Sequence, residues 1–160
     1  MKKISIIMGS KSDLETVSET VSVLKEFKVD FDLKVLSAHR TPHELAQYVE
    51  AASKKGIKVF IAAAGMSAAL AGVVAAHTSL PVIGIPIETK NLKGIDSLLS
   101  TVQMPPGIPV ACMSIGKPGA KNAALFALAI LGTNDLKINA KLVNYKKQMR
   151  IKIRQTKIKL

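Results

Sequence analysis

Ile4-Ser5-Ile6-Ile7-Met8-Gly9-Ser10-Lys11-Ser12-Asp13 opens the chain with a short apolar run that stops at a glycine and turns at once into polar and charged residues. Lys2 and Lys3 precede it, as in a secretory leader. The run is too short for a leader's apolar core, however, and the Gly-Ser turn cuts it off, so the stretch predicts a first strand feeding a turn. Comparable apolar runs bounded by turn residues recur at Phe31–Leu36, Val59–Ala63, Pro81–Ile87 and Ile108–Met113. Helical patterns fill the gaps near Ser12–Phe27, Pro42–Lys54, Ser67–His77, Asn91–Val102 and Gly119–Leu131. Strands alternating with helices predict an α/β chain with a doubly wound parallel sheet, because parallel neighbours need crossovers and helices supply them.

Composition agrees with a sheet covered on both faces. The chain has 160 residues, no Trp and few aromatics, so Val, Ile, Leu and Ala must build the core. Val59 to Ala76 carries no charge, yet it is rich in Ala, Gly and Ser and is broken by Gly65-Met66-Ser67. It reads as strand, turn and buried helix rather than a membrane span. One cysteine, Cys112, excludes an internal disulfide and agrees with a reducing, cytoplasmic setting; no acid or His lies near it in sequence, so it reads as a small buried hydrophobe.

The net charge of +12 is concentrated late. Nine Lys and Arg and no acid follow Asp135, leaving the body near +3. Ile138, Leu142, Tyr145, Met149 and Ile153 recur there at helical spacing. We therefore divide the chain into a body, 1–135, and a basic C-terminal helix or tail, 136–160, packed on the body or on a neighbouring subunit. With no aromatic stacking platform beside the charges, neither a nucleic-acid nor a membrane partner is expected.

Ligands of open α/β sheets bind at the carboxyl ends of strands, where turns feed helix N-termini. Three such turns carry chemistry here. In the first, Gly9 admits close backbone approach, Ser10 and Ser12 offer hydroxyls, and Asp13 either caps the helix or accepts from sugar hydroxyls. It lacks the Walker and dinucleotide glycine patterns. In the second, Ser37-Ala38-His39-Arg40-Thr41-Pro42, His39 is the best general acid/base of the chain and Arg40 offers a charge-assisted fork for phosphate. In the third, Ala63-Ala64-Gly65-Met66-Ser67-Ala68-Ala69-Leu70, small residues let a flat ring lie against backbone or let helix and sheet pack closely. His43 and His77 sit in or beside helices without clear partners and read as structural.

Taken together, Met8–Asp13, Ser37–Pro42, Leu80-Pro81-Val82-Ile83-Gly84 and Asp96-Ser97-Leu98-Leu99-Ser100-Thr101-Val102-Gln103-Met104-Pro105 closely resemble the PurE family, in order, from about Ile4 to Leu131. The resemblance implies a three-layer, flavodoxin-like α/β/α fold assembled as a homo-octamer with active sites near subunit boundaries. It implies the mutase reaction of that family, which moves a carboxylate from N5 of carboxyaminoimidazole ribonucleotide to C4 without biotin, metal or ATP; the related carboxylase branch adds carbon dioxide directly to aminoimidazole ribonucleotide. By position, it assigns phosphate to Ser10, Ser37 and Arg40, ribose hydroxyls to Asp13 and the C4 proton to His39. It places Gly9, Ser12, Ala38, Gly65, Met66, Ser67, Ala69 and Leu70 around the substrate. One turn departs from the mutase pattern: where that branch has Gly-Gly-Ala-Ala-His-Leu-Pro-Gly, this chain has Gly65-Met66-Ser67-Ala68-Ala69-Leu70-Ala71-Gly72, so Ala69 replaces a histidine. Ser67 resembles the carboxylase turn Gly-Arg-Ser-Asn, though Met66 does not match its Arg. Direct carboxylation and a non-catalytic nucleotide-binding module are the alternatives this departure raises.

Overall fold

The computed structural model describes residues 2–158. Five parallel strands, β1 (Ile4–Met8), β2 (Phe31–Val35), β3 (Val59–Ala64), β4 (Val82–Pro86) and β5 (Ala111–Cys112), form one sheet in the order β2-β1-β3-β4-β5. That is the flavodoxin-like doubly wound order, with its switch point between β1 and β3. Helices α1 (Leu14–Glu26), α2 (Pro42–Lys54), α3 (Leu70–Ala76), α4 (Ile95–Val102), α5 (Gly116–Gly132) and α6 (Leu136–Gln155) complete it.

The period-two alternation of the strands sorts the core into two halves. Ile4, Ile6 and Met8 of β1, with Val59, Ile61 and Ala63 of β3, face α1 and α5. Ile7, Phe60 and Ala62 face α2 and α3. All of these are essentially inaccessible to solvent. Gly84 gives the only room for Thr101 of α4 against β4, because a Cβ there would collide with the threonine methyl.

Several elements are shorter than the sequence predicts, and the backbone shows why. The first helical turn is a 3-10 turn over Lys11–Asp13, capped by Ser10, before α1 begins. α3 begins at Leu70 rather than Ser67 because Met66 is left-handed, with φ 58°, and Ala68 and Ala69 bond back only two residues. α4 starts at Ile95 because Lys93 and Gly94 have φ of 53° and 90°. β5 shrinks to Ala111–Cys112 because Gly107 is left-handed and Pro109 has no N–H to give a ladder. α5 is longer than predicted.

α6 is capped by Asp135, whose Oδ1 accepts from the N–H groups of Lys137 and Ile138, each at 3.2 Å. Its first half docks on the α1–α5 side. Ile138 is buried, the Tyr145 ring sits 5.7 Å from that of Phe27, and Lys141 Nζ donates to the Phe27 carbonyl at 2.6 Å. Met149 and Ile153, on the same apolar stripe, are exposed. No helix of the described residues is long and apolar enough to cross a membrane.

Candidate active site

The carboxyl ends of β1, β2 and β3 are neighbours at a spacing of roughly 4.8 Å, so the turns that follow them must meet. Gly9 N–H donates to the Ala63 carbonyl at 3.0 Å and joins the first turn to the third across the switch point. The first turn meets the second when Arg40 Nη2 donates to the Gly9 carbonyl at 2.8 Å. The result is a cavity of about 690 Å³. Gly9, Ser10, Ser12, Asp13, Ser37, Ala38, His39, Arg40, Gly65, Met66, Ser67, Ala69 and Leu70 all line it. Leu70 is only 2% exposed and serves mainly the core beneath.

Within the first turn the hydroxyls and carboxylate are ordered by one another. Ser10 N–H donates to Asp13 Oδ2 at 3.0 Å, Ser12 N–H donates to Ser10 Oγ at 3.3 Å, and the Ser12 hydroxyl lies 2.9 Å from Ser10 Oγ and 3.3 Å from Asp13 Oδ1. Asp13 thus closes a capping box and also lines the cavity. Burial pushes its carboxyl above the usual range; the Ser10 N–H, the Ser12 hydroxyl, the Arg40 charge and the Gly9 N–H oppose that without cancelling it.

In the second turn Ser37 Oγ accepts from Arg40 N–H at 3.2 Å and Arg40 Nε at 3.3 Å. Thr41 accepts from Ser37 N–H at 2.8 Å and donates to the Ser37 carbonyl at 3.1 Å, which folds the loop onto the start of α2. With the bond to the Gly9 carbonyl, two of the five guanidinium donors are used within the protein. His39 is exposed on the same loop and lines the cavity. The cavity therefore gathers a cation, hydroxyls, a carboxylate, an imidazole and a turn made mostly of small residues. That set can bind a phosphorylated sugar, seat a planar ring and move one proton.

Sequence reasoning missed the fourth wall. Ile87, Glu88, Thr89 and Lys90, just beyond β4, also line the cavity, beside Ala64 and Ala68 of the third turn. Ile87 N–H donates to the Ala64 carbonyl at 2.9 Å, carrying the β3–β4 pairing into the turn. Thr89 is fixed by its hydroxyl bond to Asp96 Oδ1 at 2.8 Å. The strand-end rule that selected the first three turns applied equally to this one. Neither Gly9 nor Gly65 is required by the protein's own packing, since a Cβ at either would meet neighbours no closer than 3.5 Å. Both line the cavity.

Away from the site, His77 has a partner the sequence did not reveal, Glu50, whose Oε1 lies 3.3 Å from Nδ1. Cys112 is half-buried rather than buried as the sequence predicts, and burial raises its thiol above its usual range. Among the described residues no three His, Cys, Asp or Glu side chains gather as a metal site.

The AIR carboxylase family model matches residues 3–152. The chain is 51% identical to the N5-carboxyaminoimidazole ribonucleotide mutase of Saccharolobus solfataricus, over 99% of both chains. It is 55% identical to the protein of the same name from Pyrococcus abyssi, over 94% of this chain and 85% of that one. The crystal structure of Treponema denticola PurE superposes with a TM-score of 0.86 at 29% identity, covering 94% of this chain and 92% of that one.

Proposed function

Because the chain belongs to the AIR carboxylase family, we propose that it is an N5-carboxyaminoimidazole ribonucleotide mutase of purine biosynthesis. It converts N5-carboxyaminoimidazole ribonucleotide to its 4-carboxy isomer. The observation that carries the reading is convergence: turns distant in sequence meet in one cavity with a phosphate-type cradle, a sugar-type carboxylate and an imidazole.

The roles are those the family resemblance assigns by position, and the chemistry of each group agrees with them. Ser10, Ser37 and Arg40 hold the 5′-phosphate, Arg40 with the donors its loop leaves unused. Asp13 accepts from the ribose hydroxyls. Gly9, Ser12, Ala38 and the Gly65–Leu70 turn, Met66, Ser67 and Ala69 among them, shape the seat of the imidazole. The carbamate C–N bond breaks as N5 takes a proton, giving carbon dioxide and the free amine. C4 then attacks the carbon dioxide with its enamine electron pair, and His39 removes the C4 proton. The atoms balance without a redox partner, and His39 can return the proton it takes.

We further read the enzyme as a cytoplasmic homo-octamer, with residues 1–135 as the catalytic unit and 136–160 as an appended helix. Ile95, Leu99 and Val102 form an exposed apolar stripe on α4, and Met149 and Ile153 continue one on α6; subunit contacts would cover both. Light scattering at assay concentration checks the mass.

Ala69 favours a second reading, direct carboxylation, because the histidine of the mutase turn is missing. Turnover of the N5 isomer, against aminoimidazole ribonucleotide plus bicarbonate, decides between them. Faster use of the N5 isomer is expected; preference for the amine with bicarbonate assigns the carboxylase reaction, and silence on both leaves a binding protein.

A further inference from the structure

Met66 lines the cavity yet is largely uncovered by the fold. Its φ of 58° lies in the left-handed region, where a Cβ crowds the next carbonyl. Among the described residues two other non-glycines share that geometry, and each has a local reason. Lys28 closes α1, its N–H bonding to the Lys25 carbonyl and that of Val29 to the Leu24 carbonyl, both at 3.0 Å. Lys93 stands beside Gly94 in the turn before α4 and off the cavity. Met66 ends no helix, and its side chain is 71% exposed, so it adds almost nothing to the core. Backbone strain and an uncovered apolar side chain both oppose stability, and here they coincide on a binding wall.

The rest of that wall is low. Gly65, Ser67, Ala68 and Ala69 carry at most two side-chain heavy atoms each, so Met66 alone in this turn can reach across a bound ring. Its unbranched thioether adapts to a flat π-face. The reaction itself demands a cover, because carbon dioxide is free between the breaking of the N5 bond and the forming of the C4 bond. Resting on the mutase reading, we propose that Met66 is a positioning residue that lies over the substrate's imidazole and closes the space in which carbon dioxide waits for C4.

The test follows the carboxyl carbon. Wild type, Met66→Gly and Met66→Leu are given N5 isomer labelled with carbon-13 at the carbamate, in unlabelled bicarbonate, and the label kept in the product is read alongside kcat/KM, Tm and particle mass. Wild type and Met66→Leu should keep the label. Met66→Gly should lose it to the pool and fall about tenfold in kcat/KM, as expected when a reacting partner is no longer held in place. Its Tm should rise by about 2–4 °C as left-handed strain is released. Label kept by Met66→Gly, equal leakage from Met66→Leu, a lower Tm or a changed particle mass each overturns the inference. A wild type silent on the N5 isomer overturns the mutase reading and this inference with it, whereas an active wild type with a label-retaining glycine variant overturns only the inference.

Discussion

Two aspartates sit in hydrogen-bonded clusters at opposite ends of the same sheet. Near the amino end, Asp32 of β2 accepts from Tyr48 at 2.9 Å and from Lys2 at 2.9 Å. Tyr48 gives its one proton to Asp32, so the Ser5 hydroxyl, 2.7 Å away, donates to the phenol oxygen. Burial pushes the Asp32 carboxyl up, but the bonds from Lys2 and Tyr48 and the charges of Lys34 and Lys2 outweigh it and hold the group below its usual range. Burial, with the bond to Asp32 and its charge, pushes the Tyr48 phenol up to about 12, against the Ser5 bond. At the carboxyl end Asp13 has donors too, yet burial prevails and its carboxyl lies high. The first cluster is closed on itself and stabilises the fold; the second keeps a carboxylate, a guanidinium and hydroxyls with capacity to spare, which is what a ligand needs.

On that contrast, substitutions at the two ends separate into activity effects and stability effects. The largest effect belongs to His39→Asn, expected to lower kcat by about 10²–10⁴-fold with Tm unchanged, the range for loss of a general acid/base. Unchanged kcat removes His39 from the chemistry. Next, Arg40→Ala should raise KM by about 10–100-fold, since each hydrogen bond from a charged donor is worth about 1.5–3 kcal/mol. A normal KM, measured by substrate titration, places the phosphate elsewhere.

At the closed end, Tyr48→Phe should cost about 1–3 kcal/mol in denaturant unfolding, because the fully buried Ser5 hydroxyl loses its partner, while kcat/KM stays at the wild-type value. A loss of activity there would break the division of labour.

The smallest effects are pH-dependent and of opposite sign. The folded-state pKa of Asp32 is depressed, so its contribution to stability is present above the unfolded-state value and is lost as pH falls through the folded one. Asp32→Asn should therefore destabilise the protein at neutral pH and flatten its acid unfolding. That of Asp13 is raised, so the group favours folding below its unfolded-state value and opposes it once pH rises through the folded one. Asp13→Asn should raise Tm slightly at neutral pH while weakening substrate binding. Tm measured from acid to neutral pH checks both; parallel curves for the two variants would mean the two ends do not differ.

Much of this was legible in the chain. Five strands, the helices between them and thirteen cavity residues can be placed from local signals. Strand periodicity, a glycine after an apolar run and a polar turn feeding a helix are properties of neighbouring residues, and they survive whatever the rest of the chain does. The PurE-like motifs lie in those same turns. Strand order, by contrast, arises when β1 takes the position between β2 and β3, and only that order brings Gly9 to both Ala63 and Arg40. The wall from Ile87 to Lys90, the Ser5–Tyr48–Asp32 chain and the partner of His77 likewise depend on residues far apart in sequence. Where β5 shortens and Met66 turns left-handed, backbone sterics and competing hydrogen bonds override the apolar pattern that predicted longer elements. Local chemistry is written along the chain, but which groups share a cavity is decided by packing, because hydrogen bonds and steric contacts between distant segments exist only once the sheet has formed.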